Sequence, residues 1–187
     1  PYASARRQDP RCAMNDHVTL RTCKDGILND DFGTQDYYLV QQENCAKSTP
    51  KGLSAAIRKK YPYGCILHLP PSQRLPGEIM VRTPGTGGPQ GPAPVGPVVV
   101  NFLAQRFPGK PGSGMGFISD SCSYRQRYFQ FCLDKLGALN LDSSKNVVFP
   151  ENIGCGLAGG NWKIYREMIT KWAAKQKCHV WIVKMRV

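Results

Sequence analysis

No apolar run in this 187-residue chain approaches the about 18 residues a membrane span needs, so no spanning helix is expected. The stretch 1–16, PYASARRQDPRCAMND, lacks the apolar middle of a signal peptide and is expected to form an extension ahead of a domain over 17–187. Histidine is scarce: His17, His68 and His179 lie far apart, and the 8 cysteines include no C-x-x-C pair, so neither a metal site nor a cofactor built on one is expected. Several of the cysteines sit in strand-like or helix-like apolar surroundings, which suits free thiols in a reducing, intracellular compartment, cytoplasmic or nuclear. Acidic residues are also few, 13 against 25 Lys and Arg, for a formal charge of +12. A field of that sign favours polyanions, nucleic acid or a phosphorylated small ligand, over cationic partners. No basic stretch is interleaved with aromatics as in an RNA-reading sheet.

What is present alternates between strand and helix patterns. His17–Cys23 and Asp36–Gln42 read as strands, the second with Leu39 and Val40 as core and a polar end at Gln42, Glu43 and Asn44. Gly52–Tyr61 reads as a helix with Leu53, Ala56 and Ile57 on its apolar face, stopped by Pro62. Gly64–Pro76 has no periodicity, Gly77–Thr83 alternates as a strand, and Pro97–Ala104 is almost wholly apolar, as a strand covered on both faces is. Between those two strands, 84–96 (PGTGGPQGPAPVG) is low in complexity without a strict triplet period, which excludes collagen and predicts a mobile surface loop. Cys122–Leu139 is helical, with Tyr128, Phe131, Cys132 and Leu136 inward and Arg125, Arg127 and Lys135 toward water.

The chain is organised around Asn146–Trp162, NVVFPENIGCGLAGGNW: a short apolar strand, a glycine-dense loop, then a helix from Trp162 to Lys175 with Tyr165, Met168, Ile169 and Trp172 on one side. Gly154, Gly156 and Gly159 match G-x-G-x-x-G, in which residues without Cβ let backbone N–H groups approach a pyrophosphate at a helix start. A dinucleotide-binding unit of the Rossmann type needs an acidic residue on a second strand about 20 positions later. The last strand, Cys178–Met185, has no Asp or Glu, which argues for a different nucleotide-binding design. The pattern predicts an α/β fold with a mixed, mostly parallel sheet of about six strands between helices, and ligands at the C-terminal strand edges. Two loops leave such edges and enter helices, 44–52 and 154–160, so two helix starts are expected to converge on one diphosphate.

At these residues the chain resembles the macro domain family of ADP-ribose-binding modules. Val40-Gln41-Gln42-Glu43-Asn44 resembles the family's V-N-A-A-N, keeping the valine and the closing asparagine, and Gly52 falls where the last glycine of the family's triplet lies. Ile153-Gly154-Cys155-Gly156-Leu157-Ala158-Gly159-Gly160 resembles its second loop. The resemblance implies a three-layer α/β/α sandwich with Asn44 on the distal ribose, and Gly52, Leu53 and Ser54 on one side of the diphosphate. Gly154, Cys155, Gly156, Leu157 and Ala158 would hold its other side. Asp25-Gly26-Ile27 stands near the family's Gly-Asp-Ile run, which makes Asp25 a displaced candidate for the adenine amine; its other reading is an ordinary turn residue before glycine.

For catalysis, one branch of the family uses a lysine after the central strand and an aspartate in the second loop. This chain aligns Gln105 and Ala158 there, and neither an amide nor a methyl group can take those roles. The glycine triplet reads Pro50-Lys51-Gly52, so Lys51 offers a cation near the distal ribose or its 1″ substituent, or else is a solvated loop lysine. The resemblance therefore implies binding of ADP-ribose, ADP-ribosylated protein or ADP-ribose 1″-phosphate, with hydrolysis of the ADP-ribosyl or 1″-phosphate bond resting on Asn44, Lys51 and a positioned water. The alternatives are a non-catalytic poly(ADP-ribose)- or RNA-binding module using the basic surface, and a degenerate fold with a protein-interaction role. A monomer away from membranes is expected.

Overall fold

The computed structural model describes residues 17–23, 26–28, 36–85, 95–112 and 120–185. Residues 1–16, Asp25 and most of the Gly/Pro-rich loop, 86–94, lie outside them, and with them the expectations placed on the extension, the loop's mobility and the adenine contact.

Among the described residues nine strands and α-helices follow in order: β1 (Val18–Cys23), β2 (Tyr37–Asn44), α1 (Leu53–Lys60), β3 (Ile79–Arg82), β4 (Val98–Gln105), α2 (Cys122–Ala138), β5 (Asn146–Pro150), α3 (Trp162–Gln176) and β6 (Val180–Met185). The six strands form one sheet in the order β1-β6-β5-β2-β4-β3. Every neighbouring pair is parallel except β3 with β4, which gives the mixed, mostly parallel α/β sheet read from the alternation of patterns.

Residue alternation along the strands separates two apolar layers. Leu39, Val99, Val148 and Val183 point to one face and pack with Ile57 and Tyr61 from α1 and its end. Val40, Val100, Phe102, Phe149 and Ile182 point to the other, against Phe129, Leu133 and Leu136 of α2 and Tyr165, Ile169 and Trp172 of α3. Phe129 and Tyr165 stack at 4.4 Å and 13°, locking α2 to α3 where both meet the sheet. Covered on both faces, β4 is buried from Val99 to Gln105, the reason its sequence is nearly all apolar.

One inward face differs from the sequence expectation. Arg125 is 1% exposed rather than facing water, whereas Phe131, expected inside, is exposed and Phe129 takes the core position. The aperiodic stretch after α1 forms two 3-10 turns, Pro62–Gly64 and Pro71–Gln73, and ends by delivering a second buried guanidinium, Arg74. Among the described residues, no helix is long and apolar enough to cross a membrane, and no group of three or more His, Cys, Asp or Glu could hold a metal ion.

Candidate functional site

β2 runs between β4 and β5, and all three are parallel, so their C-terminal ends open on the same edge. The loops that leave them enclose a cavity of about 850 Å³. Of the residues singled out from the sequence, Asn44, Lys51, Gly52, Leu53, Ser54, Gly154, Gly156, Leu157 and Ala158 line it. Gly26, Ile27 and Cys155 do not. The Ile27 side chain is consumed by the α1-side core, where it is 1% exposed. The Cys155 N–H turns back to the Asn152 carbonyl (2.8 Å) and its thiol to that of Ile153 (3.2 Å), while burial pushes the thiol up to about 11.

The first wall is built by Asn44 and α1. The Asn44 Oδ1 accepts the N–H groups of Ala46 (3.1 Å) and Lys47 (2.6 Å), closing the loop on itself. Arg74 holds the same loop from below, donating to the carbonyls of Asn44 (3.3 Å) and Lys47 (2.7 Å). The helices differ in how they begin. Ser121 caps α2 and Asn161 caps α3 through their side chains, but α1 starts at Gly52, which has no side chain to offer and sits at φ 58. The first-turn N–H groups of α1 are therefore left open at the cavity wall.

The second wall is the turn 150–160. It is braced by Gly160 N–H to the Gly154 carbonyl (2.9 Å) and Gly159 N–H to the Gly156 carbonyl (3.1 Å). The N–H groups of Gly154, Gly156, Leu157 and Ala158 donate to no acceptor among the described residues. Gly154 has φ +68, and a Cβ there would fall 2.2 Å from the Gln42 Oε1, so both backbone and neighbour require glycine.

A buried ion pair fixes the distance between the loops. The Arg125 Nη1 donates to the carbonyls of Gly109 (2.6 Å) and Ala158 (2.8 Å), and Nη2 to that of Phe107 (3.1 Å). Its other edge pairs with the Asp120 carboxylate, which accepts the N–H groups of Arg106 (2.8 Å) and Phe107 (3.3 Å). One guanidinium thus ties 106–110 to the glycine turn, and every charge in the tie has hydrogen-bond partners.

The cavity floor is polar. The Gln42 Nε2 donates to the Gln105 Oε1 (2.7 Å), whose own Nε2 donates to the Phe107 carbonyl (3.1 Å). The Oε1 atoms of Gln41 and Gln42 are buried without a partner. Beside them Glu43 is 5% exposed; burial pushes its carboxyl up to about 7, although the neighbouring Ser54 hydroxyl and the charge of Arg74 both pull it down. Lys47 and Lys51 stand exposed around the first loop. Sequence reasoning assigned no role to Glu43, Arg74, Asp120 or Arg125. The one available signal was the polar run Gln41-Gln42-Glu43-Asn44 continuing a buried strand to its functional edge.

No protein-family model matches the chain, and neither does any curated protein. Solved structures do match. A structural-genomics protein from Bacteroides thetaiotaomicron superposes with a TM-score of 0.65 at 18% identity, covering 89% of this chain and 99% of its own. The macrodomain of Thermus aquaticus DarG gives 0.55 at 16%, covering 89% and 98%. Thermosipho africanus DarTG, solved in complex with ADP-ribose, gives 0.59 at 15%, covering 91% of this chain and 42% of that one. With the sheet order and the two loops described above, these likenesses give the conclusion that the chain has the macrodomain fold.

Proposed function

We propose that the cavity binds ADP-ribose, free or attached to a protein, with the diphosphate between the start of α1 and the turn 154–158 and the distal ribose beside Asn44. The observation that carries this reading is the facing of two sets of unpartnered backbone N–H donors, from α1 and from Gly154, Gly156, Leu157 and Ala158, across one cavity. Such donors suit a dianion: they present partial positive charge without a counter-ion and without reorganising. The ADP-ribose complex of the Thermosipho neighbour supports the same ligand. With its Oδ1 held by the loop, Asn44 keeps Nδ2 as the donor for a ribose hydroxyl.

Bond cleavage is the finer part of the proposal. Gln105 is held between Gln42 and Phe107, and Ala158 offers only its backbone, so hydrolysis here depends on a water placed by Asn44 and the surrounding dipoles. Calorimetric titration with ADP-ribose, ADP and AMP tests the reading. The expected order is ADP-ribose tightest and AMP weakest, with Asn44→Ala costing about tenfold or more for ADP-ribose and little for ADP. Equal affinities for all three ligands, or no binding, would reject it.

A further inference from the structure

We propose that Glu43 is the proton acceptor of this cavity, taking the proton from the water that attacks the anomeric carbon of the distal ribose. The inference rests on the binding reading above and adds a residue the resemblance does not supply. In the family motif V-N-A-A-N the position of Glu43 is an alanine, so the carboxyl is this chain's own addition at the edge of β2.

Geometry singles it out. The titratable side chains among the described cavity-lining residues are Glu43, Lys47, Lys51 and Glu151. The two lysines are exposed and Glu151 is half-buried; Glu43 alone is buried in the wall, next in sequence to Asn44 and beside Ser54 in the first turn of α1, whose hydroxyl donates to the Lys51 carbonyl (3.1 Å). The charged group facing it is Arg74, which is committed to the carbonyls of Asn44 and Lys47 and acts on the carboxylate through space. The neighbouring Cys45 thiol is pushed up to about 12 by burial and stays neutral. Glu43 is thus the one buried carboxyl among the described residues lining the cavity, set beside a hydroxyl and a cation that are both engaged with backbone carbonyls. A carboxylate held out of water and poised near neutrality is what base catalysis at pH 7 requires.

The step balances with no further reactant. The water oxygen forms a bond to C1″ as the bond from C1″ to the substituent oxygen breaks, and that oxygen leaves with the electron pair. Glu43 receives the water's proton and later returns it to solvent. A substituent that departs as a carboxylate needs no proton donor, which matches a cavity holding one buried carboxyl.

The test uses a protein carrying ADP-ribose on a carboxylate side chain, with release of free ADP-ribose followed between pH 5.5 and 8.5. The wild-type kcat/KM is expected to rise with pH through an apparent pKa near 7, because the base must be ionised. Glu43→Gln and Glu43→Ala are expected to lose about a hundredfold or more in kcat and that pH limb, while their calorimetric affinity for ADP-ribose stays within about threefold. Turnover in Glu43→Gln equal to wild type, or a pH limb unchanged in the variant, would overturn the inference. So would a wild-type protein that binds ADP-ribose but releases none, an outcome that leaves the binding reading standing; failure to bind ADP-ribose would overturn both.

Discussion

Glu43 carries a prediction that does not depend on ligand or turnover. Its carboxyl is pushed up from 4.5 to about 7 by burial, so the folded chain holds that proton more tightly than the unfolded chain does. The contribution to stability is full below pH 4.5, where both states are protonated. It is lost progressively as pH rises toward about 7, because the unfolded carboxyl ionises freely and the buried one cannot. At roughly 1.4 kcal/mol per pH decade the loss amounts to about 3 kcal/mol, most of it between pH 5 and pH 8. Glu43→Gln keeps the shape while removing the charge. Urea unfolding of both proteins at pH 5 and pH 8 is the assay, and the difference between them cancels every other titrating group. The variant is expected to be close to wild type at pH 5 and more stable by about 2–3 kcal/mol at pH 8, which in a chain of this size raises Tm by roughly 5–10 °C. Parallel stability curves across that range would refute the account of a desolvated carboxyl. A gain in stability on losing a functional group is the pattern expected where a site holds a group its surroundings do not solvate.

Three further outcomes test the rest of the site. Arg125→Met leaves the Asp120 carboxylate buried without its cation, and is expected to cost about 3–5 kcal/mol in urea unfolding and to weaken ADP-ribose binding as 106–110 and the glycine turn separate. Gly154→Ala places a methyl 2.2 Å from the Gln42 Oε1 and 2.8 Å from the Tyr165 Cε2 at φ +68; the expected loss is about 1–2 kcal/mol from the backbone plus a steric part of which the double variant with Gln42→Ala recovers the Gln42 share, read by thermal unfolding. Lys51→Ala is expected to weaken ADP-ribose 1″-phosphate more than ADP-ribose in parallel calorimetric titrations, since the exposed ammonium neutralises the extra charge; unchanged affinity for both would make Lys51 a solvated loop residue.

The parts of this molecule that were readable in sequence are those written in side-chain size and polarity. Val98–Gln105 announced a strand covered on both faces because burial there demands apolar residues, and the alternating patterns placed all six strands and all three helices close to their observed ends. The second wall was readable for the opposite reason: a turn of exposed backbone N–H groups is written in glycine, and Gly154, at φ +68 and 2.2 Å from the Gln42 Oε1 where its Cβ would stand, is where the structure requires it. What escaped notice was the charge inside. Arg125 belongs to the same helical stripe as Phe129, Cys132, Leu133 and Leu136, so periodicity alone would have turned it inward, but its charge assigned it to water. Its solvation is replaced by the carbonyls of Phe107, Gly109 and Ala158, and that of Arg74 by the carbonyls of Asn44 and Lys47. Carbonyls are common to every residue and leave no letter in the sequence. A site assembled from main-chain donors therefore shows its glycines, while the buried cations that hold its loops at the right separation, and the carboxyl lodged beneath them, emerge only from the packed fold.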